Sequence, residues 1–298
     1  MLINKLGEFG LIEKFRRKIK IDSTVVAGSG DDCAVLKLDK KRYQLFTCDM
    51  LVEDVDFTSR TDPYLVGRKL VAVSVSDIAA CCGIPRYLVA SMGIPKNTTL
   101  RYVERVFQGA LDLAKRFKVN FVGGDISRAD KLVLDASMLG VVEKQCLTLR
   151  SGAKMGDIIF VTGSLGGSIR GKHLKFIPRL KQARFLARNF KPSAMIDISD
   201  GLADDLGHIM QSSGAGAEIY EELIPLDKQA RNFSEALYMG EDFELLFTLP
   251  RRLAGKILKR KIPGYKPIGE ILDKKYGLRL VEKNGREKAI ASKGFRHF

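Results

Sequence analysis

Apolar side chains at Phe9, Leu11, Ile12, Phe15 and Ile19 fall three and four residues apart, with basic residues between them. This spacing predicts an amphipathic helix over residues 8–19. Residues 33–38 and 43–47 alternate around the polar turn Asp39-Lys-Lys-Arg42 and predict two strands. Pro63 opens a long apolar helix running to Cys82, closed by Gly83 and Pro85. A strand over 87–93, an amphipathic helix over 99–117, a short strand at 120–122 entering a glycine turn, and a long strand over 131–142 follow. Beyond the turn at 151–157 the pattern predicts a strand at 157–163, a helix at 179–190, a strand at 194–198 and a helix at 202–211. Strands at 217–220 and 244–249, a helix at 251–259 and short strands complete the chain. Alternating strands and helices indicate an α/β (α+β) chain.

At 298 residues the chain is long for one compact unit, and two domains are expected, 1–145 and 146–298. Apolar residues make up 45% and charged residues 29%, which excludes wholesale disorder. Five cysteines, an odd count without Cys-x-x-Cys, argue against a disulfide framework and fit a reducing cytoplasm. The first residues lack an apolar signal core. The most apolar stretch, 65–82, is interrupted by Arg68, Lys69 and Asp77, so no membrane span is expected. Net charge is +15. One dense run (Arg170, Lys172, Lys175, Arg179, Lys181, Arg184, Arg188, Lys191) holds no acid. A positive field suits nucleotides and phosphates, and also nucleic acid. The run reads as a solvated helix face, and few aromatics interleave with it to stack bases.

The acidic residues are more informative. Gly28-Ser-Gly-Asp-Asp32 precedes a strand, and its glycines permit a tight turn from which carboxylates project. Asp49 stands at the end of an apolar strand. Asp77 interrupts an apolar helix, where a carboxylate is costly unless paired or metal-bound. Gly123-Gly-Asp125 follows a strand and suits a backbone approaching phosphate. In Asp197-Ile-Ser-Asp200, Asp197 and Ser199 share one strand face, and Asp200 or Ser199 can cap the next helix. Capping does not explain Asp197. Oxygen donors without clustered histidine or thiolate indicate magnesium in preference to zinc. His173, His208 and His297 lie in no triad-like context.

These segments resemble the thiamine-monophosphate kinase family. Gly30-Asp-Asp-Cys-Ala-Val-Leu, Thr47-Cys-Asp-Met-Leu-Val-Glu, Val75-Ser-Asp-Ile-Ala-Ala, Gly123-Gly-Asp-Ile-Ser and Arg150-Ser-Gly-Ala-Lys-Met-Gly-Asp match in order. So do Met195-Ile-Asp-Ile-Ser-Asp-Gly-Leu, Gly240-Glu-Asp-Phe-Glu-Leu-Leu-Phe-Thr and Lys293-Gly-Phe-Arg-His-Phe. The resemblance runs from about residue 7 to the end and places the chain in the superfamily of aminoimidazole ribonucleotide synthetase. It implies an N-terminal dimerising β domain, a C-terminal α/β sandwich, and ATP with several magnesium ions in the cleft between them. Asp31, Thr47, Asp49, Asp77, Asp125, Asp197 and Asp200 match the family's magnesium ligands, and Cys48 falls where the family has a metal-contacting threonine, a contact made through the backbone. Gly124, Asp125, Arg150 and Ser199 match ATP contacts, and Tyr102 is a further nucleotide candidate. Asp56, Glu241 and Phe295 match positions at the thiamine monophosphate pocket. Asp32 reads as a turn residue. Two departures stand out. Asp56 replaces a histidine that contacts substrate, and residues 166–195 are shorter than the family norm by roughly a helix.

The implied reaction passes the γ-phosphoryl of ATP to the phosphate of thiamine monophosphate. That acceptor is largely ionised near neutral pH, its second pKa being about 6, so a general base is dispensable. The task is to bring two anions into line. The alternatives are another ATP-dependent member of the superfamily, or an inactive nucleotide- or RNA-binding protein. Selenophosphate synthetase is disfavoured because its N-terminal reactive cysteine is missing; the first cysteine is Cys33.

Overall fold

The computed structural model of the chain describes residues 3–260 and 262–291. Helix α1 (Ile3–Arg16) leads, bent at Gly7. The N-terminal half then builds a six-stranded sheet from β1 (Val25–Ala27), β2 (Ala34–Lys37), β3 (Arg42–Val52), β4 (Ile84–Ile94), β5 (Asn120–Arg128) and β6 (Val133–Glu143). Helices α2 (Pro63–Ala80) and α3 (Leu100–Phe117) interrupt it. The order is β1-β2-β3-β6-β4-β5, and only β4 and β5 pair in parallel.

Local chemistry sets the helix starts. The Asp62 carboxylate accepts from the Tyr64 N–H, and Pro63, which has no N–H to satisfy, takes the first helical position. Thr99 caps α3 in the same way. The two helices meet through Gly67 and Gly109. A Cβ at Gly67 would lie 1.7 Å from the Val106 carbonyl oxygen, and one at Gly109 would lie 1.9 Å from that of Tyr64. Only hydrogen fits at either contact.

Two predicted strands run further than their sequence suggests. β3 continues through Thr47-Cys-Asp49 to Val52, pairing residue by residue with β6. β5 continues through Gly123-Gly-Asp125 where a turn is expected. A register shift between Leu88 and Val89 absorbs one extra residue there, and Gly123 takes a φ of 156°. In both cases the neighbouring strand supplies the hydrogen-bond ladder that keeps a polar, glycine-rich stretch extended.

The C-terminal half contains β7 (Ile158–Thr162), α4 (Lys172–Lys175), α5 (Leu180–Asn189), β8 (Ala194–Asp197), α6 (Leu202–Ser213) and β9 (Ala215–Tyr220). α7 (Phe233–Tyr238), β10 (Leu245–Leu249), α8 (Arg251–Lys259), β11 (Tyr265–Asp273), β12 (Leu278–Val281) and β13 (Glu287–Ala289) follow. Their seven-stranded sheet runs β13-β12-β9-β11-β7-β10-β8. Alternation along β7 and β10 sends Phe160, Leu245 and Phe247 to one face and Ile159, Val161 and Leu246 to the other. The first face joins the core around α2 and α5, which also holds Leu45, Leu88 and Met138 of the N-terminal sheet. The second face packs on α6 and α7. α2 therefore lies between the two sheets, and this position assembles the site. No helix among the described residues is long and apolar enough to cross a membrane.

Candidate active site

The inner face of the N-terminal sheet presents Thr47 and Asp49 from β3 to α2. Thr47 Oγ1 donates to the Asp77 carboxylate, and Ser74 Oγ donates to Asp49 at 2.6 Å. From the far side, Asp197 at the end of β8 accepts from Ser76 Oγ at 2.5 Å. One helix thus gathers carboxylates from both sheets. Asp32 joins them: oxygens of Asp32, Asp77 and Asp197 all lie within 4.8 Å of one another. Asp32 is buried, accepts from Arg150 Nη2 at 2.8 Å, and keeps one buried oxygen, Oδ2, with no partner among the described residues. It is a member of the cluster and not the turn residue its position suggests, because a cation 118 positions along the chain reaches it. Asp31 stands alongside, accepting from the Arg150 N–H at 3.0 Å.

Desolvation and mutual repulsion disfavour the ionised forms. Burial pushes Asp77 well above the usual carboxylate range, and Asp49, Asp197 and Asp32 add to it. Asp197 is pushed up to about 8 by burial and by Asp32, against its Ser76 bond. Asp31 rises to about 7 by burial and Asp32, and Asp49 to about 6 by burial, with Asp135 and Asp32 adding to it.

A cavity of 230 Å³ opens beside the cluster. Its polar wall includes Asp49, Asp77, Asp197, Ser199 and Asp200, and its apolar wall includes Leu51, Val73 and Phe243. Asp56, Lys69 and Glu241 close its other end. A larger cavity of 940 Å³ lies between α1, the glycine turn, Arg150 and α6, and Asp200 borders both. At the start of α6 the predicted cap is corrected. Gly201, with a φ of 120°, occupies the cap position, and Asp205 from the first turn accepts the Asp200 and Gly201 N–H groups at 3.1 Å. The Asp200 side chain is thereby left facing the cavities, 3.9 Å from His208.

Asp31, Thr47, Asp49, Asp77 and Asp197 come together as one cluster with Arg150. Ser199, Asp200, Asp56 and Glu241 ring the adjoining cavity. Four other predicted residues stand apart within the chain. Cys48 is exposed on the outer face of β3, where alternation turns it away from Asp49. Asp125 is exposed on β5, in one cross-sheet row with Ser91 and Asp135. Gly124 packs against β4, where a Cβ would meet the Ala90 carbonyl oxygen at 1.8 Å. Tyr102 lines a separate cavity of 440 Å³ with Glu53 and Thr99. Phe295 lies outside the described residues. Among residues the sequence did not single out, Ser74, Ser76 and Lys69 carry contacts to the site; their spacing from Asp77 on one helix was the available signal.

The basic run is only half solvated. Arg170 pairs with Glu235, Arg179 Nε donates to Glu244 at 2.6 Å, and Arg184 Nη2 donates to Glu143 at 2.7 Å. Lys172 lies 3.4 Å from Asp242 and 3.5 Å from Glu244. Lys175, Lys181, Arg188 and Lys191 are exposed.

Residues 30–142 match the family model of AIR synthase related protein, N-terminal domain, and residues 154–281 match that of its C-terminal domain. The thiamine-monophosphate kinase of Buchnera aphidicola subsp. Acyrthosiphon pisum is 34% identical over 99% of this chain and 99% of its own. That of Bacillus subtilis is 33% identical over 98% of this chain and all of its own (100%). Among solved structures, AaThiL complexed with AMPPCP and TMP superposes with a TM-score of 0.88 at 30% identity, covering 100% of this chain and 99% of that one. With both domain models in order and relatives matched from end to end, the chain belongs to the thiamine-monophosphate kinase family of AIR synthase-related proteins.

Proposed function

We propose that the chain transfers the γ-phosphoryl of ATP directly to the phosphate of thiamine monophosphate, giving ADP and thiamine diphosphate in the synthesis of that cofactor. The observation that carries this reading is the meeting of Asp32, Asp77 and Asp197, with Asp49 alongside, around a buried oxygen that has no partner among the described residues. Buried like charges with an orphaned acceptor fit a hard cation, and the donors are oxygens. Asp31, Asp32, Asp49, Asp77 and Asp197 would hold magnesium, with Asp200 at the junction of the two cavities. Bound magnesium would neutralise and orient the phosphates.

The chain's own residues do the rest. Arg150 fixes Asp32 and Asp31 from one side, and the hydroxyls of Thr47, Ser74 and Ser76 fix Asp77, Asp49 and Asp197 from the other. The larger cavity suits the nucleotide, the smaller one the acceptor.

The functional unit in this reading is a homodimer in the cytoplasm, each chain divided at about residue 145. Phe46, Met50, Tyr87 and Val89 are exposed on the outer sheet face, an apolar surface that a second copy would cover. The row bearing Asp125 lies on that same face, so dimerisation would enclose it. The inward-turned half of the basic run weakens a nucleic-acid reading.

A coupled ADP-release assay tests the assignment. Magnesium-dependent ADP release that rises with thiamine monophosphate is expected. ADP release indifferent to it would transfer the chain to another acceptor within the superfamily.

A further inference from the structure

Among the described residues lining the smaller cavity there are six carboxylates and a single cation, Lys69. A doubly ionised phosphate entering this cavity meets strong repulsion except at that ammonium and at bound metal. Lys69 is 1% exposed, yet it lines the cavity, and its ammonium is held by Glu241 and Asp56, which line it too. On α2, Val73 and Asp77 follow it at i+4 and i+8, so Lys69 and Asp77 share a helix face about 12 Å apart. One marks the far end of the cavity and the other the carboxylate cluster.

The Lys69 ammonium donates to the Glu241 carboxylate and to the Asp56 carbonyl oxygen at 3.2 Å. An ammonium carries three donors, so one N–H has no acceptor among the described residues. Asp56 does not aim its charge at this point. Its carboxylate accepts from the Val52 N–H at 2.8 Å and closes the 52–56 turn. The position therefore contributes a backbone carbonyl that holds Lys69 in place.

We propose that Lys69 binds the acceptor's phosphate, exchanging Glu241 for a phosphate oxygen. The inference rests on the acceptor assigned above. The exchange keeps the buried ammonium paired throughout, which avoids the penalty of an isolated buried charge. It also releases the Glu241 carboxylate beside the bound molecule. There it faces the positively charged thiazolium ring, so two charge pairs form where one stood.

The test compares affinities for thiamine monophosphate and unphosphorylated thiamine, with magnesium and a non-hydrolysable ATP analogue present. In the unaltered protein the phosphate should tighten binding by ~10- to 100-fold, the range of a charge-assisted hydrogen bond. Lys69→Met should erase most of this margin. Because that change strands Glu241, Lys69→Met/Glu241→Gln provides a variant with neither charge, and it should lose the margin too. A folded variant that keeps the full margin, or an unaltered protein that binds both molecules equally, overturns the inference. Normal turnover of thiamine monophosphate alongside a retained margin would remove Lys69 alone. Absence of any acceptor-dependent turnover in the unaltered protein would remove the assigned acceptor, and the inference with it.

Discussion

The carboxylates beside β10 and those around Asp77 are balanced in different ways. Glu244 and Asp242, beside β10, are each about 1% exposed. Glu244 accepts from Arg179 and Thr162, and Asp242 accepts from the Gly166 N–H at 2.9 Å with Lys172 nearby. The chain itself supplies their countercharge. Around Asp77 the chain supplies mainly hydroxyls, plus one guanidinium that is taken by Asp32. Burial alone does not distinguish the groups. What differs is whether neutralisation comes from within, and a cluster left short of cations is one that the proposed magnesium would complete.

The largest expected consequence follows from removing a ligand from the second group. Asp77→Asn keeps the shape and the Thr47 contact but deletes a charge that others oppose. ADP release should fall by ~10³-fold, comparable to losing a key electrostatic group in a transition state, while the metal-free protein melts no lower. Near-normal turnover from this variant would show that the cluster is structural.

Breaking the first group should cost stability and not chemistry. Arg179→Ala leaves the buried Glu244 with Thr162 and the longer Lys172 contact at 3.5 Å, so the loss should be at most the about 3–5 kcal/mol of breaking a buried pair. Chemical denaturation measures this, and the folded fraction should keep its activity. The smallest effect belongs to Arg188, whose side chain is 62% exposed and lies 3.8 Å from Glu143. Arg188→Ala should change stability by no more than ~0.5 kcal/mol.

α2 was legible in the sequence because Pro63 and an apolar run define a helix locally, and Asp77 was legible because a carboxylate in that run needs a reason. Asp49 and Asp197 stood out on the same ground. Asp32 did not, since its burial depends on Arg150 from the far half of the chain. The basic run had the same difficulty: Glu143, Glu235 and Glu244 are 41 to 65 positions from the arginines they meet. The extents of β3 and β5 were set by their neighbours in the sheet and not by their own residues. Asp200 does not cap α6, because Gly201 takes the cap position and Asp205 accepts the Asp200 and Gly201 N–H groups.

Thermal melting at two pH values tests the proposed magnesium site at the Asp77 cluster. Asp31, Asp49 and Asp197 have folded pKa values of about 7, 6 and 8, all raised above the ordinary carboxylate value of 3.8. The folded state therefore binds more protons than the unfolded chain between about pH 4 and 8, and metal-free stability falls as pH rises through that window. In EDTA the midpoint should be lower at pH 8.5 than at pH 6. Saturating magnesium should restore it, by ~5 °C or more at pH 8.5 and by less at pH 6, where protons compete for the same oxygens. A midpoint that ignores both pH and magnesium would contradict the proposal.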